Sequence, residues 1–200
     1  MTSAPAPRRG RPPGDRNTRA RVLAAARRMF TERGYNAASL RDIAREAGVD
    51  AGMVRHYFVD KAGLFRAAMD MPVDPSALIA SLLSGGVEGL GERLLRKLVT
   101  EWDDAGNASA MIILVRSAMT HDESNRMLRE FISRQVLGRI AAAVDAPDRE
   151  LRASLIGSQL VGLVVARYIV RVEPLASADP ETVVAAVAPT VQRYLTGSIR

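Results

Sequence analysis

The 200-residue chain contains no cysteine. That absence excludes a disulfide framework, a zinc finger and a thiol nucleophile, and it suits a reducing cytosol. Long hydrophobic runs are missing too. No stretch reaches the ~18 apolar residues that a membrane span needs. The most apolar one, 155–170, is interrupted by Gln159 and ends near Arg167 and Arg171. The first thirty residues carry many arginines but no apolar core followed by a cleavage site, so no signal peptide is expected. A soluble, cytoplasmic protein with no membrane contact follows. Alternating Val, Thr and aromatic runs joined by tight turns are absent as well, which argues against β-strands.

Histidine is scarce. His56 and His121 are the only two, and neither belongs to a metal spacing such as HExxH. Asp103-Asp104 is an acidic pair at a helix end and reads as solvated. The glycines at 85, 86, 89 and 91 follow no strand, so they form no phosphate loop. No catalytic residue, no metal and no cofactor is expected; the chain does not read as an enzyme.

What is present is a composition that can bury a core, 48% hydrophobic, and a charge that is unevenly placed. Residues 1–71 hold 14 Lys/Arg and 7 Asp/Glu, 14 − 7 = +7; residues 72–200 hold 14 and 15, 14 − 15 = −1. The basic excess sits in the first third, as a polyanion partner for that part would require. A merely solubilising excess is the alternative.

Residues 1–15, MTSAPAPRRGRPPGD, hold four of the ten prolines and no apolar periodicity; they read as a disordered basic arm. Arg8, Arg9 and Arg11 surround a Gly-Arg-Pro core like that of an AT-hook, which can enter a narrow A·T minor groove. A flexible tail that attracts phosphates nonspecifically is the other reading.

After Asp15 the chain reads as all-α, about ten helices. The first spans about 17–33 and stops at Gly34. Ser39 caps a helix at 40–47 that closes at Gly48, Asp50 caps one at 51–58, and Asp60 caps one at 61–71 that Pro72 ends. Beyond a boundary at 72–75, helices are expected at about 75–84, 87–103, 107–120, 123–144, 148–172 and 180–196. The domains are thus a basic arm at 1–15, a three-helix DNA-binding domain with a helix-turn-helix at 16–71, and a larger helical domain for ligand binding and dimerisation at 72–200.

The segment SLRDIAREAGVDAGMVRHYF, Ser39 to Phe58, carries the functional signal. Ile43, Ala44 and Ala47 give its first helix a narrow apolar face, Gly48 can take the positive φ of a sharp turn, and Val49 and Val54 plug the angle. This is helix-turn-helix spacing, whose second helix enters the major groove of double-stranded DNA. Ala51, Gly52, Met53, Arg55 and His56 face outward and, Arg55 apart, are small enough for a helix pressed into a groove. Tyr57 and Lys61 stand at the exit, where a hydroxyl and an ammonium can hold phosphates.

Residues 17–65 resemble the DNA-binding domain of the tetracycline-repressor (TetR) family. The resemblance rests on FTERGY ending the first helix, SLRDIAREAGV, the HYF that ends the third, and DKAGLF opening the fourth. It implies that Ser39 and Leu40 approach the DNA backbone, that Arg41 reads a base as in some members, and that Tyr57 and Lys61 contact phosphates. The chain departs from the family where Asp50, Ala51, Val54 and Arg55 stand in place of the usual Ser/Thr, Lys/Arg, Leu and Tyr. Arg55 can read guanine or simply hold a phosphate.

In the second half, SLIGSQLVGLVVARYIV is apolar over most of its circumference. A helix with so little polar face needs cover on nearly all sides. A homodimer through helices 148–172 and 180–196 is expected, and the resemblance implies the same. The stretch from Gly157 to Gly197 also resembles a C-terminal domain type of actinobacterial-style members. Trp102, Met111, Val115, Arg116, Met119 and Phe131, with Ile112 and His121 nearby, are candidates for a small-molecule pocket; ordinary core is the alternative for each. The resulting expectation is a dimeric repressor that binds a pseudo-palindromic operator and is released by a small molecule. An activator, a ligand-independent DNA-binding protein, or a helical adaptor are the alternatives.

Overall fold

The computed structural model describes residues 13–199, and no strand occurs among them. Helix α1 spans Pro13–Ala37, with a break at Gly34 (φ 78, ψ 171) where the sequence places a stop. Then come α2 (Leu40–Ala47), α3 (Ala51–Phe58), α4 (Lys61–Ala68), α5 (Pro75–Leu83), α6 (Leu90–Asp103), α7 (Ala105–Thr120) and α8 (Asp122–Ile132). Helix α8 passes through a π turn, Ser133–Leu137, into α9 (Gly138–Ala143). Helix α10 (Arg149–Val164) ends in a second π turn, Val165–Ile169, and α11 (Pro180–Thr196) closes the chain. No helix among the described residues is long and apolar enough to cross a membrane.

Several boundaries differ from expectation: α1 already begins at Pro13, inside the segment read as a disordered arm, and α4 and α6 are reset by tertiary contacts. Helix α4 stops at Ala68, short of residue 71. The Arg27 side chain takes the Ala68 carbonyl at 2.6 Å and the Asp70 carboxylate at 2.7 Å, while Asp70 turns the chain in the left-handed region (φ 50). Helix α6 starts at Leu90, behind Gly89 at φ 65. Its first turn has no side-chain cap of its own; the Gln192 side chain from α11 accepts from the Gly91 N–H at 2.9 Å and donates to Val87 O at 3.0 Å. Helix α10 ends at the π turn rather than running to 172.

Two hydrophobic cores form. The second gathers Ile79, Leu90, Leu95, Val99, Ile140, Ile156, Val183, Val191 and neighbours from α5, α6, α9, α10 and α11. Helices α6 and α11 approach so closely there that a Cβ on Gly91 would lie 2.8 Å from Ala188 O and Gln192 N. Only glycine permits that backbone contact.

The first core joins α1 to α4 through Val22, Phe30, Tyr35, Ile43, Val54, Leu64 and Phe65, but it also takes in Met127 and Phe131 of α8. Phe131 stacks on Phe65 (centroids 4.5 Å, 21°) and meets Tyr35 edge-on at 5.3 Å. A polar collar surrounds this contact. Arg126 donates to Thr31 O and Glu32 O at 3.4 and 3.1 Å. The Glu130 carboxylate accepts from the Asn36 N–H at 2.7 Å, beside Gly34, where a Cβ would lie 2.9 Å from its Oε2. Gln135 donates to the Tyr35 hydroxyl at 3.0 Å and accepts from the Ser76 hydroxyl at 3.3 Å. Burial raises the Tyr35 hydroxyl above its ordinary pKa, so it stays protonated. The helices before residue 71 therefore pack around a side chain sixty residues further along.

Phe131→Ala is expected to cost about 3–5 kcal/mol of stability, the range for a large buried aromatic removed from a packed core, and to loosen α1 and α4 rather than the α6–α11 half. Urea unfolding with amide hydrogen exchange checks both; protection lost only in α10 and α11 would contradict it.

Candidate nucleic-acid interface

Helix α2 begins where Ser39 switches from strand-like backbone to helix. Its hydroxyl accepts from the Asp42 N–H at 3.1 Å and donates to the Asp42 carboxylate at 2.6 Å, satisfying an orphan donor of the first turn. The hydrogen bond from Ser39 is the main cause that holds the Asp42 carboxyl below its ordinary pKa; the Arg45 guanidinium 2.6 Å away adds to it. Ile43, Ala44 and Ala47 are buried on one face.

The turn is made by Gly48 in the left-handed region (φ 63, ψ 42), with Val49 N–H returning to Ala44 O at 2.9 Å. Its carbonyls are held from outside. Arg21 of α1 donates to Ala47 O at 2.6 Å and to Gly48 O at 3.0 Å, and a Cβ on Gly48 would sit 2.8 Å from that guanidinium. Arg21 escaped the sequence reading, because nothing local ties a residue on α1 to a turn 26 positions later. Its place in the basic first third was the only signal.

Asp50 caps α3 by accepting from Gly52 N–H at 2.6 Å, so its charge is spent on its own helix. Val54 and Phe58 anchor α3 in the core and Val49 and Ala51 pack partly against it. The other side of α3 presents Gly52, Met53, Arg55 and His56 to solvent. Val59 then turns the chain at φ 62 and Asp60 caps α4 through Gly63 N–H at 2.7 Å.

The remaining sequence candidates fall as follows. Arg41 is exposed at the start of α2, Leu40 is half-buried against the first core, and Tyr57 is half-buried beside His56 at 5.5 Å. Lys61 is half-buried. Its ammonium donates to Asn36 O at 3.1 Å and sits 4.7 Å over the Tyr35 ring. Burial, helped by the Arg134 charge, lowers its pKa. Arg8, Arg9 and Arg11 lie outside the described residues.

The six pocket candidates do not share one environment. Phe131 belongs to the first core and is a packing residue there, because its ring is enclosed by Tyr35 and Phe65. Trp102 is buried against Tyr168. Met111 and Val115 are half-exposed on α7 and Arg116 is exposed; the side chain of Met119 is outside the description. Ile112 is half-exposed, and His121 is exposed beside the Thr120 hydroxyl. A separate cleft of about 290 Å³ opens where α1, the end of α4, α7 and α8 meet, lined by Arg27, Met69, Leu114, Ser117, Ser124 and Met127 among others.

Two short helices crossing over a left-handed glycine, the second with one face in the core and the other in solvent, constitute a DNA-binding helix-turn-helix. Residues 22–68 match the model described as bacterial regulatory proteins of the tetR family. Residues 88–195 match the tetracyclin repressor-like C-terminal domain. The chain belongs to the TetR family of transcriptional regulators, a family of DNA-binding proteins and not of enzymes.

A TetR-family regulator from Streptomyces coelicolor A3 is 37% identical in a comparison covering 94% of this chain and 99% of that one, with a TM-score of 0.51. NalD of Pseudomonas aeruginosa, the secondary repressor of the MexAB-OprM multidrug efflux pump, shares the fold at 20% identity, 94% and 100% coverage and a TM-score of 0.50. The regulator BetI of Escherichia coli O127:H6 is 28% identical over 129 residues, 62% of this chain and 66% of that one. UidR of Escherichia coli K12 is 38% identical over 50 residues, 25% and 26%. The chain thus matches just under two thirds of BetI's length and about a quarter of UidR's.

Ser39→Ala is expected to cost about 1 kcal/mol, the usual loss for an N-cap, in urea unfolding at neutral pH. Because Ser39 also depresses the Asp42 pKa, a second part of the difference is present above the ordinary carboxylate range and fades as pH falls through Asp42's depressed one. An Ala variant equally weakened at pH 7 and at pH 2.5 would contradict that coupling.

Proposed function

We propose that the protein is a homodimeric repressor that occupies a pseudo-palindromic operator and is released by a small molecule. In this reading residues 16–71 form the DNA-binding domain, 72–200 the dimerisation and effector domain, and 1–15 a basic arm that adds salt-dependent attraction to the duplex in the cytoplasm. The observation that carries it is the two-sided α3. Val54 and Phe58 are fixed in the core, while Gly52, Met53, Arg55 and His56 stand exposed on the other side. A helix so shaped fits a major groove, with Ala51, Gly52, Met53 and Arg55 facing it, Arg41 and Arg55 near base edges, and Ser39, Leu40, Tyr57 and Lys61 along the backbone.

Dimerisation is supported by α10 and α11. Leu151 and Val161 are 54% and 58% exposed, and Ser154, Ser158 and Gly162 share their face. A Cβ on Gly162 would meet nothing within 4 Å. On α11, Ala185, Ala186 and Pro189 are exposed likewise. Small and apolar side chains in open solvent are what a second copy would cover, giving a four-helix bundle across a two-fold axis. Two α3 helices then meet two half-sites about 34–36 Å apart.

The effector acts through differential affinity for two spacings of those helices. The first core already links α1 and α4 to α8, so a shift of α8 reaches the DNA-binding helices without an intermediary.

Fluorescence anisotropy on duplexes from the chain's own promoter region, at two salt concentrations, tests the reading. Binding should weaken as salt rises. Arg55→Ala should lose about 1–3 kcal/mol at one base position and change sequence preference, whereas Tyr57→Phe should weaken all duplexes alike. A uniform loss from both would reject base reading by Arg55, and no salt-sensitive binding to any duplex would reject the regulator. Val161→Glu should turn the dimer into a monomer in light scattering and abolish tight operator binding; a Val161→Glu dimer would place the interface elsewhere.

A further inference from the structure

Helix α3 is anchored unevenly. Val54 and Phe58 hold its middle and its end in the first core, whereas at its amino end Gly52 and Met53 are exposed and Ala51 is half-buried. Val49 and Ala51 add partial packing against the first core. Asp50 caps that end, but through a bond inside the helix's own first turn, to the Gly52 N–H.

Among the described residues, the hydrogen bonds that tie residues 47–53 to a distant part of the fold come from Arg21. One nitrogen, Nη2, donates to Ala47 O at 2.6 Å and to Gly48 O at 3.0 Å. These carbonyls close α2, where the helix dipole leaves partial negative charge, and a cationic donor satisfies both at once. Arg21 adjoins Val22, which is fully buried, so its backbone is fixed by the core of α1. A Cβ on Gly48 would lie 2.8 Å from the same Nη2. The glycine therefore makes room for the guanidinium, besides taking the left-handed turn.

Arg28, about two turns further along α1, reaches α2 in another way. It pairs with the Glu46 carboxylate at 3.0 Å, with both side chains about half exposed. A surface pair of that kind contributes little and leaves the turn untouched.

We propose that Arg21 is a positioning residue for sequence reading. It fixes the turn from which α3 departs, and with it the direction in which Gly52, Met53 and Arg55 enter the groove. This rests on the reading of α3 as the groove helix. Without the clamp the turn samples several placements, and affinity for a matched sequence falls by the fraction of time spent in the productive one. Attraction to phosphates tolerates such shifts, so nonspecific binding persists.

The full chain is used to select a duplex from a random pool. Fluorescence anisotropy then gives Kd for that duplex and for a scrambled one, across a salt series. Arg21→Met and Arg21→Lys are compared with Arg28→Met, which removes the same charge from the same helix. Lysine keeps the charge of Arg21 but lacks the planar fork and ends one atom short of Nη2. Both Arg21 variants should lose about tenfold on the selected duplex, the scale of a hydrogen bond to a charged group, and much less on the scrambled one. Arg28→Met should weaken both duplexes equally. In the Arg21 variants amide exchange should quicken at Val49 and Gly52 and stay slow at Phe30, which marks a freed turn in a folded chain.

An Arg21→Lys chain that prefers the selected duplex as strongly as the parent overturns the proposal, and that result decides even where Arg21→Met fails to fold. Equal losses on both duplexes from Arg21→Met, with the salt slope lowered by about one, also overturn it and make Arg21 a plain phosphate contact. A parent chain that selects no duplex sinks the groove reading of α3 and the clamp with it. A parent that selects one which both Arg21 variants read equally well sinks the clamp alone.

Discussion

The contact on which the helix-turn-helix depends is the insertion of Phe131 between Tyr35 and Phe65. Residues 13–71 form four helices, of which three are eight residues long, and short helices are marginal without tertiary packing. Their core is small, and α8 completes it with Met127 and Phe131. The collar of Arg126, Glu130 and Gln135 then pairs backbone and hydroxyl groups around the α1 break. The orientation of α3 follows from this assembly. Val54 and Phe58 are seated by α1 and α4, which are themselves seated by α8.

Much of this was legible in the sequence wherever the cause is local. Ser39, Asp50 and Asp60 start helices because a short oxygen-bearing side chain can reach an N–H two or three residues on, and all three do so. Gly34 and Gly48 mark breaks because both take positive φ. The boundaries of α2, α3 and α11 come out as the caps indicate. The inner and outer faces of α3 follow from helical period alone.

What was not legible is contributed from a distance. Arg27 ends α4 from 41 positions away, Gln192 begins α6 from 101, and Arg152 closes α11 from 42 and 45. Long polar side chains carry no local mark of such a task; in the sequence they look like ordinary surface charge. The two π turns leave no periodic signature either. Phe131 shows the same limit at the candidate pocket. Its size and neighbours suggest a cavity wall, and only the tertiary arrangement assigns it to the core beneath the helix-turn-helix. The contacts of Lys61 with Asn36 O and the Tyr35 ring likewise come from 25 and 26 positions back.

The collar around Gly34 also bears on how such proteins can be recombined. The seam between the helix-turn-helix and the C-terminal helical domain is not the short connection at 72–75 but a surface where the Glu130 carboxylate lies within 3.0 Å of where a Gly34 Cβ would be. Grafting the helix-turn-helix of one regulator onto the body of another therefore demands more than a compatible linker. The donor's Gly-Tyr-Asn corner must meet a helix carrying an aromatic at position 131, an acid one residue before it and an amide four residues after. A chimera cut at residue 71 without those partners exchanges the helix-turn-helix but loses the packing that seats it on the C-terminal domain.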